Sequence, residues 1–148
     1  MKKFRNYVIA LALIITVFFL VPGIRPMIVM SGSMEPVMPT GSLCFVNTHC
    51  DFSDVKTDDI ITYTVMDAKI THRAVKINKE EGYLVTKGDN NESEDIGVVN
   101  RENYYGKVMV HIPYMGYALF FIKKHMVTIL LLILALVKIR EKGGLKRI

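Results

Sequence analysis

Apolar residues crowd the two ends of this 148-residue chain, and each crowded end carries bases on its outer side. Lys2, Lys3 and Arg5 precede the first run, Tyr7 to Val21, which Pro22-Gly23 ends. Lys138, Arg140, Lys142, Lys146 and Arg147 lie at the end of the last run or beyond it. Taking these eight bases and Glu141 from totals of 19 bases and 14 acids leaves 11 bases against 13 acids. The net charge of +5 therefore belongs to the tails, and the middle is slightly acidic. Such a middle lacks the basic stripe that nucleic acid would require. The pattern fits the positive-inside rule, with both termini cytoplasmic and the middle outside.

The first run and its leading lysines look like a signal peptide. Pro-Gly-Ile-Arg-Pro follows where a small-residue cleavage site would stand. The expectation is an uncleaved anchor over 7–24, about 27 Å long at 1.5 Å per residue, just enough to cross. The competing reading is a buried core helix. Toward the C-terminus, Lys123, Lys124 and His125 interrupt the apolar run. Met126 to Ile139 alone covers about 21 Å, short for a ~30 Å hydrocarbon core. Lysines near a helix end can snorkel to the interface. The expectation is an apolar segment, Tyr114 to Ile122, on the outer surface, followed by a crossing of about 125–139; a surface helix without a crossing competes with it. This divides the chain into a basic tail (1–6), an anchor (7–24), an extracytoplasmic domain (25–116), an interfacial segment with a second transmembrane helix (117–139) and a second basic tail (140–148).

The middle reads as short strands between turn signals: Leu43–Asn47, Ile60–Val65, Lys69–Ile77, Tyr83–Thr86 and Lys107–Ile112. Met66-Asp67-Ala68 predicts a hairpin, and the polar, aperiodic residues 88–103 predict a loop. The fold class is mainly β: a small β-barrel or sheet domain flanked by N- and C-terminal transmembrane helices. Cys44 and Cys50 leave three readings open: free or structural thiols, a disulfide permitted outside the cytoplasm, or a metal site whose spacing matches no common zinc pattern.

Three stretches combine turn chemistry with reactive groups. In Ser31-Gly32-Ser33-Met34-Glu35-Pro36, Gly32 frees the backbone and Pro36 stops helix or central strand, so a serine can project outward. In Ile70-Thr71-His72-Arg73-Ala74-Val75, alternation puts Ile70, His72 and Ala74 on one face and Thr71, Arg73 and Val75 on the other. His72 is a candidate base near neutral pH. The third, Thr86-Lys87-Gly88-Asp89-Asn90-Asn91, continues to Asp95 and offers carboxylates as partners for the histidine. Each stretch also has a plain reading: an exit loop, a satisfied histidine, a solvated loop. Together they hold the serine, base and orienting acid that an activated nucleophile needs.

The chain resembles signal peptidase I of the endoplasmic-reticulum and archaeal type, which also occurs in some Gram-positive bacteria. Ser-Gly-Ser-Met-Glu-Pro matches the family's nucleophile box and Ile-Thr-His-Arg its histidine box. Thr-Lys-Gly-Asp-Asn-Asn with Asp95 matches its acidic box. Asp59-Ile-Ile-Thr-Tyr resembles its strand ahead of the histidine, and Gly106-Lys-Val with Ile112-Pro-Tyr-Met-Gly its C-terminal strand and membrane approach. Thr40-Gly41-Ser42 departs from it, with serine in place of a common aspartate.

The resemblance implies a membrane-bound serine endopeptidase that removes N-terminal signal peptides. Ser33 would be the nucleophile, His72 the base and Asp95 its orienting acid. Asp89 would be a supporting acid and the Ser31 hydroxyl a second oxyanion donor beside the Ser33 N–H. It further implies no cofactor or metal, and preproteins and the lipid bilayer as partners, with secretion machinery left open. The location implied is the cell membrane, multi-pass, with the catalytic domain outside. Small side chains at substrate positions −1 and −3 would enter shallow pockets near Met34, Ile70 and Ala74, the substrate adding as a strand. Two rivals are a non-catalytic scaffold or regulator of matrix or coat assembly on the same fold, and a self-cleaving repressor-type protease. The latter pairs serine with lysine and carries a DNA-binding part, which this sequence lacks; Lys69 and Lys76 are the lysines near His72.

Overall fold

Strand pairing in this chain follows from alternating apolar and polar residues cut by glycine, proline and aspartate turns. A computed structural model describes residues 6, 7, 10 and 22–145. Most of the expected anchor 7–24 lies outside the described residues, as do residues 1–5 of the first tail and residues 146–148 of the second. Ile24, the last residue of that anchor, already begins a strand.

Seven strands form one antiparallel sheet: β1 (Ile24–Ile28), β2 (Leu43–Asn47), β3 (Ile60–Val65), β4 (Ala68–Asn78), β5 (Tyr83–Lys87), β6 (Val99–Asn100) and β7 (Tyr104–Ile112). Their spatial order is β1-β2-β7-β3-β4-β5-β6. All five expected strands are present, three of them extended by one to three residues at an end. The expected hairpin joins Val65 to Ala68 across a two-residue turn, with Met66 at φ 52°. β1 and β6 are additions. Pro26 cannot donate to a ladder, and β1 is accordingly an edge strand. β6 is a two-residue edge inside the expected loop.

The sheet buries side chains on both faces. Ile61 and Tyr63 join Val55, Ala74, Leu84 and Val99 in one cluster. Their neighbour Ile60 packs on the other, made of Met34, Met38, Cys44 and Val46. The period of two along β3 thus feeds two cores at once.

The C-terminal segment is one helix, α1 (Met115–Leu145). The expected break between an interfacial segment and a separate span is absent, because lysine and histidine interrupt apolarity without interrupting helix formation. Among the described residues no helix is long and apolar enough to cross a membrane. The helix start docks on the turn before β2: Gly116 donates to the Gly41 carbonyl at 2.9 Å. A Cβ on Gly41 (φ 82°) would lie 2.1 Å from the Tyr117 ring.

Candidate active site

Ser33 lies in the irregular segment between β1 and β2. Met34 and Met38, which follow Ser33, are 1% and 0% exposed, so the segment is pinned to the core while Ser33 stays at the rim. The Glu35 carboxylate closes the turn by accepting from the Thr40 N–H at 3.2 Å and its hydroxyl at 3.0 Å.

β4 brings His72 to this rim, opposite Ile61 of β3. Its Nε2 lies 3.0 Å from Ser33 Oγ, and its Nδ1 lies 2.6 Å from Asp95 Oδ2. A carboxylate only accepts, so Nδ1 carries the proton and Nε2 offers its lone pair to the Ser33 hydroxyl. The three groups named from sequence thus stand in the order serine, imidazole, carboxylate. Ser31 Oγ is 3.2 Å from Ser33 Oγ.

Asp89 goes elsewhere. Its two oxygens accept from Arg73 Nε at 2.8 Å and Nη2 at 2.7 Å, and Arg73 Nη1 also donates to the Asp58 carbonyl at 2.7 Å. The carboxylate beside Arg73, first as a hydrogen-bond acceptor, pushes the guanidinium further up from its ordinary value. His72 and Arg73 are successive residues on opposite faces of β4, and each takes its own aspartate. The loop bearing both acids is tied to the serine: Asn90 N–H donates to the Ser33 carbonyl at 2.8 Å.

Both lysines have other partners. Lys69 Nζ lies 3.4 Å from the centre of the Tyr105 ring, and Lys76 pairs with Glu94 at 2.8 Å. Cys44 and Cys50 are separate free thiols, so the disulfide reading is not realised. Burial pushes the Cys44 thiol up to about 11. Among the described residues no group of three or more His, Cys, Asp and Glu forms a metal site.

A cleft of about 340 Å³ runs up to Ser33 and His72, walled by Met27–Met30 on one side and Lys69–Thr71 on the other. Met34 and Ile70 line it as expected. Ala74 does not: it is fully buried in the core, packed with Ile61 and Leu84. Both walls are strand edges. Among the described strands, β1 pairs only with β2, and β4 pairs with β5 only from Arg73 onward. The sequence reading missed β1 as a wall; the edge-strand proline was its available signal.

No family model matches the chain. The signal peptidase complex catalytic subunit sec11 of Neurospora crassa is 33% identical over 128 residues, covering 78% of this chain and 74% of that protein. Its counterpart in Tuber melanosporum is 33% identical over 138 residues, covering 78% and 73%. Signal peptidase I W of Bacillus subtilis is 41% identical over 95 residues, covering 62% and 46%. Agreement of this extent with both the complex subunits and a bacterial enzyme places the chain: it belongs to the signal peptidase I family.

Proposed function

We propose that this chain is a serine endopeptidase that removes N-terminal signal peptides from exported preproteins, with Ser33 as nucleophile, His72 as general base and acid, and Asp95 as the acid that orients it. The observation that carries this is the single imidazole reaching Ser33 Oγ with one nitrogen and Asp95 with the other, at 3.0 and 2.6 Å. A non-catalytic scaffold is not favoured, since it has no use for that alignment.

The steps follow from the atoms. A preprotein lies extended between the two strand edges, its backbone pairing with them and alternate side chains entering the cleft. His72 Nε2 takes the Ser33 proton as Oγ attacks the carbonyl at the cleavage site. The Asp95 charge stabilises the imidazolium. The Ser33 N–H and the Ser31 hydroxyl receive the developing oxyanion, where losing one donor costs about 10²–10³ in rate. His72 then gives the proton to the leaving amine, the mature protein departs, and water deprotonated by His72 releases the signal peptide. Arg73 and Asp89 support the acidic loop.

The membrane placement belongs to the same proposal: an anchor over 7–24, the basic tail 1–6 inside, domain 25–116 outside, and α1 lying against the bilayer from 117 onward. The apolar surface supports it. Met30 beside the serine turn is 84% exposed, and Phe120 and Phe121 of α1 are 65% and 61% exposed; α1 starts against Gly41, in the same connection between β1 and β2 that carries Ser33. A substrate whose apolar core stays in the bilayer then meets the enzyme in one plane, which raises effective concentration. Preproteins and lipid are the partners; further subunits, as in the complexes of the relatives, are a natural addition.

The testing experiment incubates the purified full chain in detergent with a preprotein and reads product N-termini by mass spectrometry. A cut after a small-x-small site is expected, lost when position −1 becomes leucine. Cuts scattered through folded substrate would overturn the reading. Labelling of cysteines engineered at 2 and 98 in a Cys50→Ser background in intact cells tests the topology, with only the second expected to react from outside.

Gly88 offers a further check. A Cβ there would lie 2.7 Å from the Ser33 carbonyl and 2.7 Å from Asn91 Nδ2. Gly88→Ala is expected to cost about 1–3 kcal/mol of stability through overpacking. By displacing Ser33 it should also lower kcat about 10²-fold. Unchanged kcat in a destabilised variant would mean that the loop does not position the serine.

A further inference from the structure

Asp95 belongs to a segment without regular structure between β5 and β6, yet its carboxylate must hold a fixed direction for His72 to be useful. Its backbone is tied down by one bond, Asp95 N–H to the Thr86 carbonyl at 2.8 Å. That bond places the Cα and leaves both side-chain torsions free.

The side chain is fixed differently. Oδ2 receives three donors: His72 Nδ1 at 2.6 Å, the Thr86 hydroxyl at 2.7 Å and the Tyr63 hydroxyl at 3.0 Å. The donors come from three adjacent strands, β4, β5 and β3. Two hydroxyls that lie within the quoted motifs but take no part in the catalytic steps thus converge on the one oxygen that faces the histidine.

We propose that Tyr63 and Thr86 are positioning residues: their hydroxyls clamp Asp95 Oδ2 against His72 Nδ1 and thereby aim Nε2 at Ser33. The inference rests on the serine-histidine-aspartate reading above and adds the part of the sheet that makes a loop-borne acid serviceable.

Burial, register and charge support it. Both residues are core, at 5% and 1% exposure, so their hydroxyls are held in place by packing. Tyr63 sits opposite Ile70 in the β3–β4 ladder, two residues from the Ile61–His72 pair, on the same face as the imidazole. Its ring stands edge-on to the imidazole with centroids 6.5 Å apart. Burial, with the Asp95 charge adding to it, pushes the Tyr63 hydroxyl up to about 12, so it keeps the proton it donates. Thr86 lies opposite Ala74, whose small side chain leaves room for the carboxylate. Charge-assisted bonds of this kind are shorter and stronger than neutral ones.

The alternative is that the hydroxyls only satisfy one another within the core, in which case their loss lowers stability and leaves chemistry alone. The test is a double-mutant cycle with purified full chain in detergent, reading kcat and KM on a preprotein together with the unfolding midpoint. Tyr63→Phe and Thr86→Val are each expected to lower kcat about tenfold at unchanged KM. Thr86→Ser should recover most of the loss seen in Thr86→Val. In an Asp95→Ala background, Tyr63→Phe should cost nothing further, because the residue it acts through is gone.

Wild-type kcat in both hydroxyl variants, or an equal loss with and without Asp95, would overturn the proposal while leaving the triad standing. Full activity of Asp95→Ala itself would overturn the triad reading and this proposal with it. Should Thr86→Val fail to fold, Tyr63→Phe with and without Asp95→Ala carries the cycle alone.

Discussion

Replacing Ser33 with alanine is expected to abolish signal-peptide cleavage by the purified protein, a loss of about 10⁶-fold in kcat. The residual rate would come from substrate binding and the two oxyanion donors, both of which the substitution leaves in place. His72→Ala should lose a comparable amount, because the hydroxyl is a poor nucleophile without a base at Nε2, 3.0 Å away. The double variant should be little worse than either single one, since the two groups act as a unit. Stability is the control: Ser33 lies at the rim, and removing its Oγ leaves Met34 and Met38 packed. The assay is single-turnover cleavage of a labelled preprotein, with circular dichroism to show the fold. Persistent processing by His72→Ala would overturn the assignment of the base and return attention to Lys69 and Lys76.

Asp95→Ala is the second large effect, about 10⁴-fold in kcat. It leaves Nδ1 without its 2.6 Å acceptor, so the imidazole loses both its tautomer and its aim. Asp95→Asn should be milder. The Tyr63 and Thr86 hydroxyls donate toward the Oδ2 position, which favours the amide oxygen there and keeps Nδ1–H bonded. Only the charge is then lost. Kinetics of the three proteins side by side decide the point: an asparagine variant as poor as alanine would mean that the hydroxyls do not govern the side chain.

These effects separate two kinds of information. The residues that meet at the rim were legible as candidates because each sits in a short box of distinctive composition. A serine is hooked on a Gly- and Pro-bounded turn, a histidine stands mid-strand, and two aspartates lie in a turn-forming loop. The central strands were legible because one-face alternation imposes a period of two. β1 was not, because the apolar run before it reads straight into it and masks Pro26, the one residue that marks an edge strand. Its residues matter, since they form one wall of the cleft. Nor was the continuity of α1: Lys123, Lys124 and His125 break hydropathy, while the helix depends on propensities that lysine satisfies.

The five central strands, the face of β4 that carries His72, and the serine, histidine and aspartates available to the site are local properties of the chain. Tertiary structure alone decided the pairing. Asp95 rather than Asp89 meets the imidazole, because Arg73, on the opposite face of β4, takes Asp89 with a two-pronged pair. Ser33 and His72 are 39 residues apart, and Asp95 is a further 23 from His72. No local preference reaches that far. Only the packing of β3, β4 and β5, with Tyr63 and Thr86 buried between them, brings these groups to hydrogen-bond distance.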